Sequence, residues 1–212
     1  MHISETEKEA IYKTIFSRRD IRSEFLPDMV PDEILNRILT AGHHAPSVGF
    51  MQPWDFIVIR DKQTKSKVLR SFEEENHKAQ QLFEGERAEL YSTLKLQGIM
   101  EAPVNICVTC DRTRNGETGL GRTTQKEMDL YSTVCAVQNI WLAARAENIG
   151  VGWVSILDHN KIKSILDIPS DIVVVAYLCV GYVNKFHDLP ELERNHWEQR
   201  LPLEKLIHYE SW

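Results

Sequence analysis

Residues 4–17 carry Ile11, Ile15 and Phe16 at helical spacing, behind Ser4 and Glu7, which read as a capping box. Pro27 and Pro31 bracket a turn. Pro31 then opens a second helix with the apolar stripe Ile34, Leu35, Ile38 and Leu39, and Gly42 is expected to close it. A proline- and small-residue-rich loop over 43–54 leads into a strand over 54–60. Residues 62–98 read as helical and heavily charged, and 104–110 as a buried strand. The longest and most apolar helix spans 125–148. Met128, Val134, Val137, Ile140, Trp141 and Ala144 make it broad enough to face both a core and a second subunit. A strand at 150–157 follows, whose glycines permit close approach to a ligand, then a short helix at 158–166 and an unbroken apolar strand at 172–180. The tail is polar, and its few core positions suggest that it wraps across something rather than packing alone. This irregular alternation favours an α+β layer fold with a mixed central sheet flanked by helices.

Composition narrows the function classes. A chain of 212 residues buries a full core without disulfides or metals, and can form one domain throughout. The net charge of −6 argues against a nucleic-acid surface, but leaves room for a small anionic ligand held by local arginines. No apolar run reaches the ~20 residues of a membrane span. The polar, acidic start is unlike a signal peptide, so a soluble, cytoplasmic protein is expected.

Several motifs are weaker than they look. Cys107 and Cys110 form a C-x-x-C, but three positions along a strand point to opposite faces, so the pair cannot chelate one ion. Cys135 and Cys179 stand among apolar residues, and buried free thiols account best for all four cysteines. His43 and His44 are adjacent, face different ways and lack a third ligand nearby, so no metal is expected. Gly116 and Gly121, followed by Arg122 and Thr123, nearly spell a phosphate-cradling loop, yet arginine replaces the lysine. A turn-rich loop is the better reading. Segment 70–98 is either a solvated helix face or a mobile lid.

The densest candidate chemistry lies at Phe16-Ser17-Arg18-Arg19-Asp20-Ile21-Arg22. Three guanidiniums and one carboxylate within five residues make an anion clamp with a built-in acid. They equally fit a solvated helix end, where exposed pairs contribute only about 0–1 kcal/mol. Ser155 has two readings as well: a cap for the helix at 158–166, or a hydroxyl presented to a ligand.

Arg18-Arg19-Asp20-Ile21-Arg22, Ala45-Pro46-Ser47 with Gln52-Pro53-Trp54, Gly150-Val151-Gly152-Trp153 and Arg200-Leu201-Pro202 stand in the order and spacing of the nitroreductase-like flavoproteins. The chain resembles that family over nearly its whole length. Within the family it is most similar to the branch that uses oxygen to fragment reduced FMN into 5,6-dimethylbenzimidazole, the lower ligand of cobalamin. The resemblance implies an intertwined homodimer with FMN at the subunit interface. Arg18, Arg19 and Arg200 would hold the phosphate and ribityl end, with Arg22 beside them. Ser47 and Gln52 would come from the partner's proline-rich loop. Trp153, Val154 and Ser155 would line the isoalloxazine. Phe50 stands where ordinary relatives carry asparagine, and Asp20 where they carry a small polar residue. Together these imply a closed pocket in which reduced FMN is the substrate and molecular oxygen the co-substrate. NAD(P)H would act only through a separate flavin reductase. Asp20 would relay protons and Ser155 would hydrogen-bond near the ring. The alternatives are an NAD(P)H-dependent FMN reductase or nitroreductase, and a flavin-binding protein without turnover.

Overall fold

The computed structural model describes residues 2–116 and 120–212. In chain order the elements are α1 (Glu5–Ser17), α2 (Asp32–His43), β1 (Trp54–Ile59), α3 (Lys62–Gln80), α4 (Gly85–Thr93), β2 (Val104–Cys110), α5 (Met128–Ala146), β3 (Ile149–Val154), α6 (His159–Ile165), β4 (Val173–Tyr182) and α7 (Glu191–Arg194). The capping box forms: Ser4 Oγ accepts from the Glu7 N–H, and Glu7 Oε2 accepts from the Ser4 N–H at 2.8 Å.

The strands pair in the order β1-β2-β4-β3, and every pairing is antiparallel. The expected mixed sheet is therefore corrected to an antiparallel one. Its parallel contact is an isolated bridge between Asp20 and Val151, outside the named strands. Side-chain alternation then builds two cores. Val104, Ile106 and Val108 of β2 pack with Ala136, Val137 and Ile140 of α5 and with Leu35 and Ile38 of α2. Cys107, between them in sequence, points to the other face, with Val68 and Phe72 of α3 and Ile162 of α6. Cys110 instead meets Thr133 of α5, so the two thiols lie on opposite sides of the sheet. Burial pushes the Cys107 and Cys179 thiols up to about 12, which keeps them protonated and inert.

Four further expectations change. Helix α2 runs through Gly42 to His43, because this glycine serves helix packing rather than a left-handed cap: a Cβ there would lie 2.6 Å from Ile140 Cγ1. The charged stretch 62–98 is two helices, with Gly85 at φ +56° opening the second. Cys135 is exposed, on an outward stripe of α5 with Tyr131 and Val134. Helix α1 buries none of its residues, leaving Ile11, Ile15 and Phe16 exposed. The tail after residue 198 is exposed throughout.

In the near-cradle loop, Asn115 and Gly116 take left-handed turns, and Arg122 bonds to the Asp129 carboxylate at 2.7 Å rather than standing open to a ligand. Residues 117–119 of that loop lie outside the described residues. No helix among the described residues is long and apolar enough to cross a membrane.

Candidate active site

Helix α1 ends at Ser17, and Arg18 turns into extended backbone at φ −64°, ψ 138°. Extended chain alternates its side chains, so Arg18, Asp20 and Arg22 project one way and Arg19 and Ile21 the other. Ile21 enters the interior, and its N–H donates to Val151 O at 3.0 Å. The glycines of β3 make this contact possible. A Cβ at Gly152 would sit 1.9 Å from the Ile21 carbonyl oxygen, so no other residue could stand there without displacing the strand beside it. These glycines admit the arginine segment, where the sequence had suggested a ligand.

That contact fixes Asp20. Its Oδ1 accepts the Trp153 N–H at 2.9 Å, and its Oδ2 pairs with Arg22 Nη2. Burial raises the Asp20 pKa above the usual carboxylate range, and it prevails over the opposing pull of Arg22, the Trp153 N–H and Arg18. Arg22 is itself mostly buried, and its Nε has no partner among the described residues. A buried donor without a partner is costly, about 1–3 kcal/mol, and marks a position a ligand can satisfy.

The arginines divide their work. Arg19 commits its guanidinium to the main-chain oxygens of Phe16, Arg18, His187 and Asp188, tying the start of the tail to the end of α1. Its donors are thereby engaged within the chain itself. Arg18 lies 4.7 Å over the Trp141 ring, with no side-chain hydrogen bond among the described residues. Burial pulls its pKa below the ordinary guanidinium range, and the charges of Arg19 and Arg200 add to that shift against the opposing attraction of Asp20. Arg18 and Arg200 are thus near enough to feel each other's charge, and Arg18 keeps its donors free of side-chain hydrogen bonds among the described residues, an arrangement suited to a phosphate.

Beside Asp20 and Arg22 lies a cavity of about 180 Å³, lined by Arg22, Trp153, Ser155, Ile156, Tyr91, Leu94, Leu96, Leu192 and Trp197. Ser155 is exposed to it and does not cap α6. That role belongs to Asp158, whose Oδ1 accepts from Asn160 and Lys161. Val154 points into the opposite core, so only its main chain is presented here. Among the described residues, no group of three or more His, Cys, Asp or Glu is placed to hold a metal ion.

The family model for the nitroreductase family matches residues 15–182. The chain belongs to the nitroreductase family. A 5,6-dimethylbenzimidazole synthase of Rhodospirillum rubrum is 42% identical over 185 residues, which cover 87% of each chain. A BluB-like flavoprotein of Clostridium difficile 630 superposes with a TM-score of 0.72 at 18% identity, over 95% of this chain and 99% of that one. An oxidized iodotyrosine deiodinase bound to FMN and 3-iodo-L-tyrosine superposes with a TM-score of 0.70 at 21% identity, over 84% and 91% of the two chains.

In this nitroreductase-family chain the Ser47–Gln52 loop stands apart from the arginine segment. Val48 N–H donates to Ser132 Oγ near the start of α5, whereas Arg18 sits over Trp141 nine residues on. At 1.5 Å per helical residue that is about 13 Å along the helix. Ser47 Oγ accepts the Gln52 N–H at 3.1 Å, and Arg114 donates to Gln52 O at 2.6 Å. Phe50 and Gln52 are thereby held at positive φ, 52° and 47°, a strained arrangement that presents an exposed Phe50. The cavity lining also includes residues the sequence reading passed over. Tyr91 and Trp197 lie in charged stretches where they look incidental, although an aromatic ring in so polar a tail was a signal. Glu191 is half-buried near Arg22, and burial raises its pKa.

Proposed function

We propose that this chain is a 5,6-dimethylbenzimidazole synthase, fragmenting reduced FMN with molecular oxygen to 5,6-dimethylbenzimidazole and erythrose 4-phosphate. The observation that carries the reading is Asp20, a half-buried carboxyl of raised pKa held by Arg22 and the Trp153 N–H, two residues that line a largely apolar cavity. The relative with that name, 42% identical, supports it. The protein works in the cytoplasm as a homodimer of one nitroreductase-like domain per chain, with segment 70–98 as a lid. A separate NAD(P)H-dependent flavin reductase supplies the reduced flavin.

The donor set fits this substrate. Arg18 and Arg200 would hold the phosphate, and the unpartnered Arg22 Nε would meet a ring or ribityl oxygen. Main chain at Trp153 and Val154 gives a flat ring close backbone. Ser47 and Gln52, remote from Arg18 in their own subunit, would complete the partner's site. Reduced FMN supplies the electrons and the ring that is cut.

The protein's part is to place proton donors and keep water out. Asp20 holds or releases a proton at Oδ2, with Arg22 setting its orientation and the Trp153 N–H fixing Oδ1. A carboxyl raised by burial titrates closer to neutral pH, where a proton relay is most effective. Ser155 offers a hydroxyl to the same cavity.

The test supplies chemically reduced FMN and air, and follows 5,6-dimethylbenzimidazole by chromatography. Product at the expense of flavin is expected. Flavin that survives while NAD(P)H is consumed against nitroaromatics would replace this reading with a flavin reductase. Flavin that stays bound and intact through cycles of reduction and air would mean a carrier.

A further inference from the structure

The cavity beside Asp20 is closed on one side by two pieces of chain distant in sequence, α4 with its flanks and the segment after α7. Trp197 joins them. Its ring packs edge-on against Phe83 at 5.3 Å and Tyr91 at 6.0 Å, while Phe83 and Tyr91 stack at 4.9 Å. Arg87 of α4 lies 4.3 Å over the Trp197 ring and is 3.8 Å from the Glu198 carboxylate. Tyr91 Oη donates to Asn76 Oδ1 at 2.8 Å, which fixes the cluster to α3. Tyr91 and Trp197 both face the cavity, with Leu94, Leu96 and Leu192 between them.

We infer that Trp197 is a positioning residue that latches α4 over the cavity and sets how far water is kept from Asp20. The inference deepens the synthase reading and rests on it for its consequence, but the latch itself stands on the geometry of the aromatic cluster. The segment between α4 and β2 has a rigid far end. A Cβ at Gly98 would meet Phe25 at 2.6 Å and the Arg22 carbonyl at 2.8 Å, so residues near 98 are seated on the backbone of the site. The chain after α4 is therefore anchored there, and α4 itself is held to the tail through the contacts of Phe83, Arg87 and Tyr91 with Trp197. An exposed cation–π contact contributes little, about 0.5–1 kcal/mol, so this latch can open on each cycle to admit flavin and release product.

The closing experiment reads hydrogen exchange of residues 83–98 in the full-length protein with oxidised FMN bound, comparing wild type with Arg87→Met, Trp197→Leu and Trp197→Phe. The amides there are expected to exchange about two- to fivefold faster in Arg87→Met, the factor corresponding to loss of one exposed cation–π contact. Trp197→Leu should exchange faster still, and Trp197→Phe should restore much of the protection. Reaction of the same proteins with reduced FMN and air supplies the second reading. With the latch weakened, more of the flavin should return oxidised, two electrons and two protons passing to oxygen as hydrogen peroxide, and less should appear as dimethylbenzimidazole. Exchange unchanged in both Arg87→Met and Trp197→Leu would overturn the latch, whatever the products. Altered exchange in a protein whose wild type makes no dimethylbenzimidazole would retain the latch and reject the synthase reading.

Discussion

Asp20 is ionisable, half-buried and paired with Arg22, and which of these effects prevails has a measurable consequence. Its raised pKa means that the native state binds the Asp20 proton more tightly than the unfolded chain does. Stability linked to that proton is fully present below the ordinary aspartate value and lost as pH rises through the raised one. Asp20→Asn has no such titration. Urea midpoints of the two proteins, measured without flavin from about pH 4 to pH 7, should therefore show wild type losing stability relative to Asp20→Asn as pH increases. A difference growing in favour of wild type would show that the Arg22 pair and the Trp153 N–H outweigh burial. The sequence placed this carboxylate among arginines but not its burial. Nothing in Arg18–Arg22 alone distinguishes a solvated helix end from an extended segment against β3; the alternation of Ile21 with Asp20, and the glycines 130 residues later, decide it together.

At the scale of elements, β3 is the part whose sequence is most constrained by its neighbour. Gly152→Ala places a Cβ against the Ile21 carbonyl, where no flexible side-chain end can give way. Overpacking of this kind costs about 1–3 kcal/mol, and the loss should appear in a denaturant midpoint together with weakened FMN binding. Gly85→Ala is the contrasting case. It stands in open space but at φ +56°, so it should cost about 1 kcal/mol and leave flavin binding unchanged. Strands β1, β2 and β4, and helices α1, α2 and α5, were legible from periodicity to within a few residues. Less legible were the break after Gln80 and the role of Gly42, because one depends on local backbone at Gly85 and the other on where α5 crosses α2. The antiparallel sheet was likewise hidden, since strand direction follows from connections rather than from the apolar pattern.

The whole molecule has more apolar surface than its own folds cover. Ile11, Ile15 and Phe16 on α1, Tyr131 and Val134 on α5, and Leu203, Leu206 and Trp212 in the tail are all exposed. In the dimer reading these surfaces meet a second copy, which also brings the Ser47 loop to the partner's Arg18 and Asp20 site. Ile15→Asp with Leu206→Asp should shift sedimentation from dimer towards monomer and reduce FMN affinity in step, while thermal unfolding of the separated chain changes little. An unchanged sedimentation coefficient would place those residues outside any interface. The sequence resemblance pointed to the parts of such a site from both subunits. Their separation along α5 within one chain could only be read from the structure.

The account turns on Asp20 as the proton relay in flavin fragmentation. The most direct measurement is the yield of 5,6-dimethylbenzimidazole from chemically reduced FMN and air, in wild type and in Asp20→Asn loaded with equal bound flavin. Wild type should convert flavin to dimethylbenzimidazole, and Asp20→Asn should bind flavin yet lose most of that product, about a hundredfold, the lower part of the range for removing a positioned acid or base. Equal yields from the two proteins, or no dimethylbenzimidazole from wild type, would contradict it.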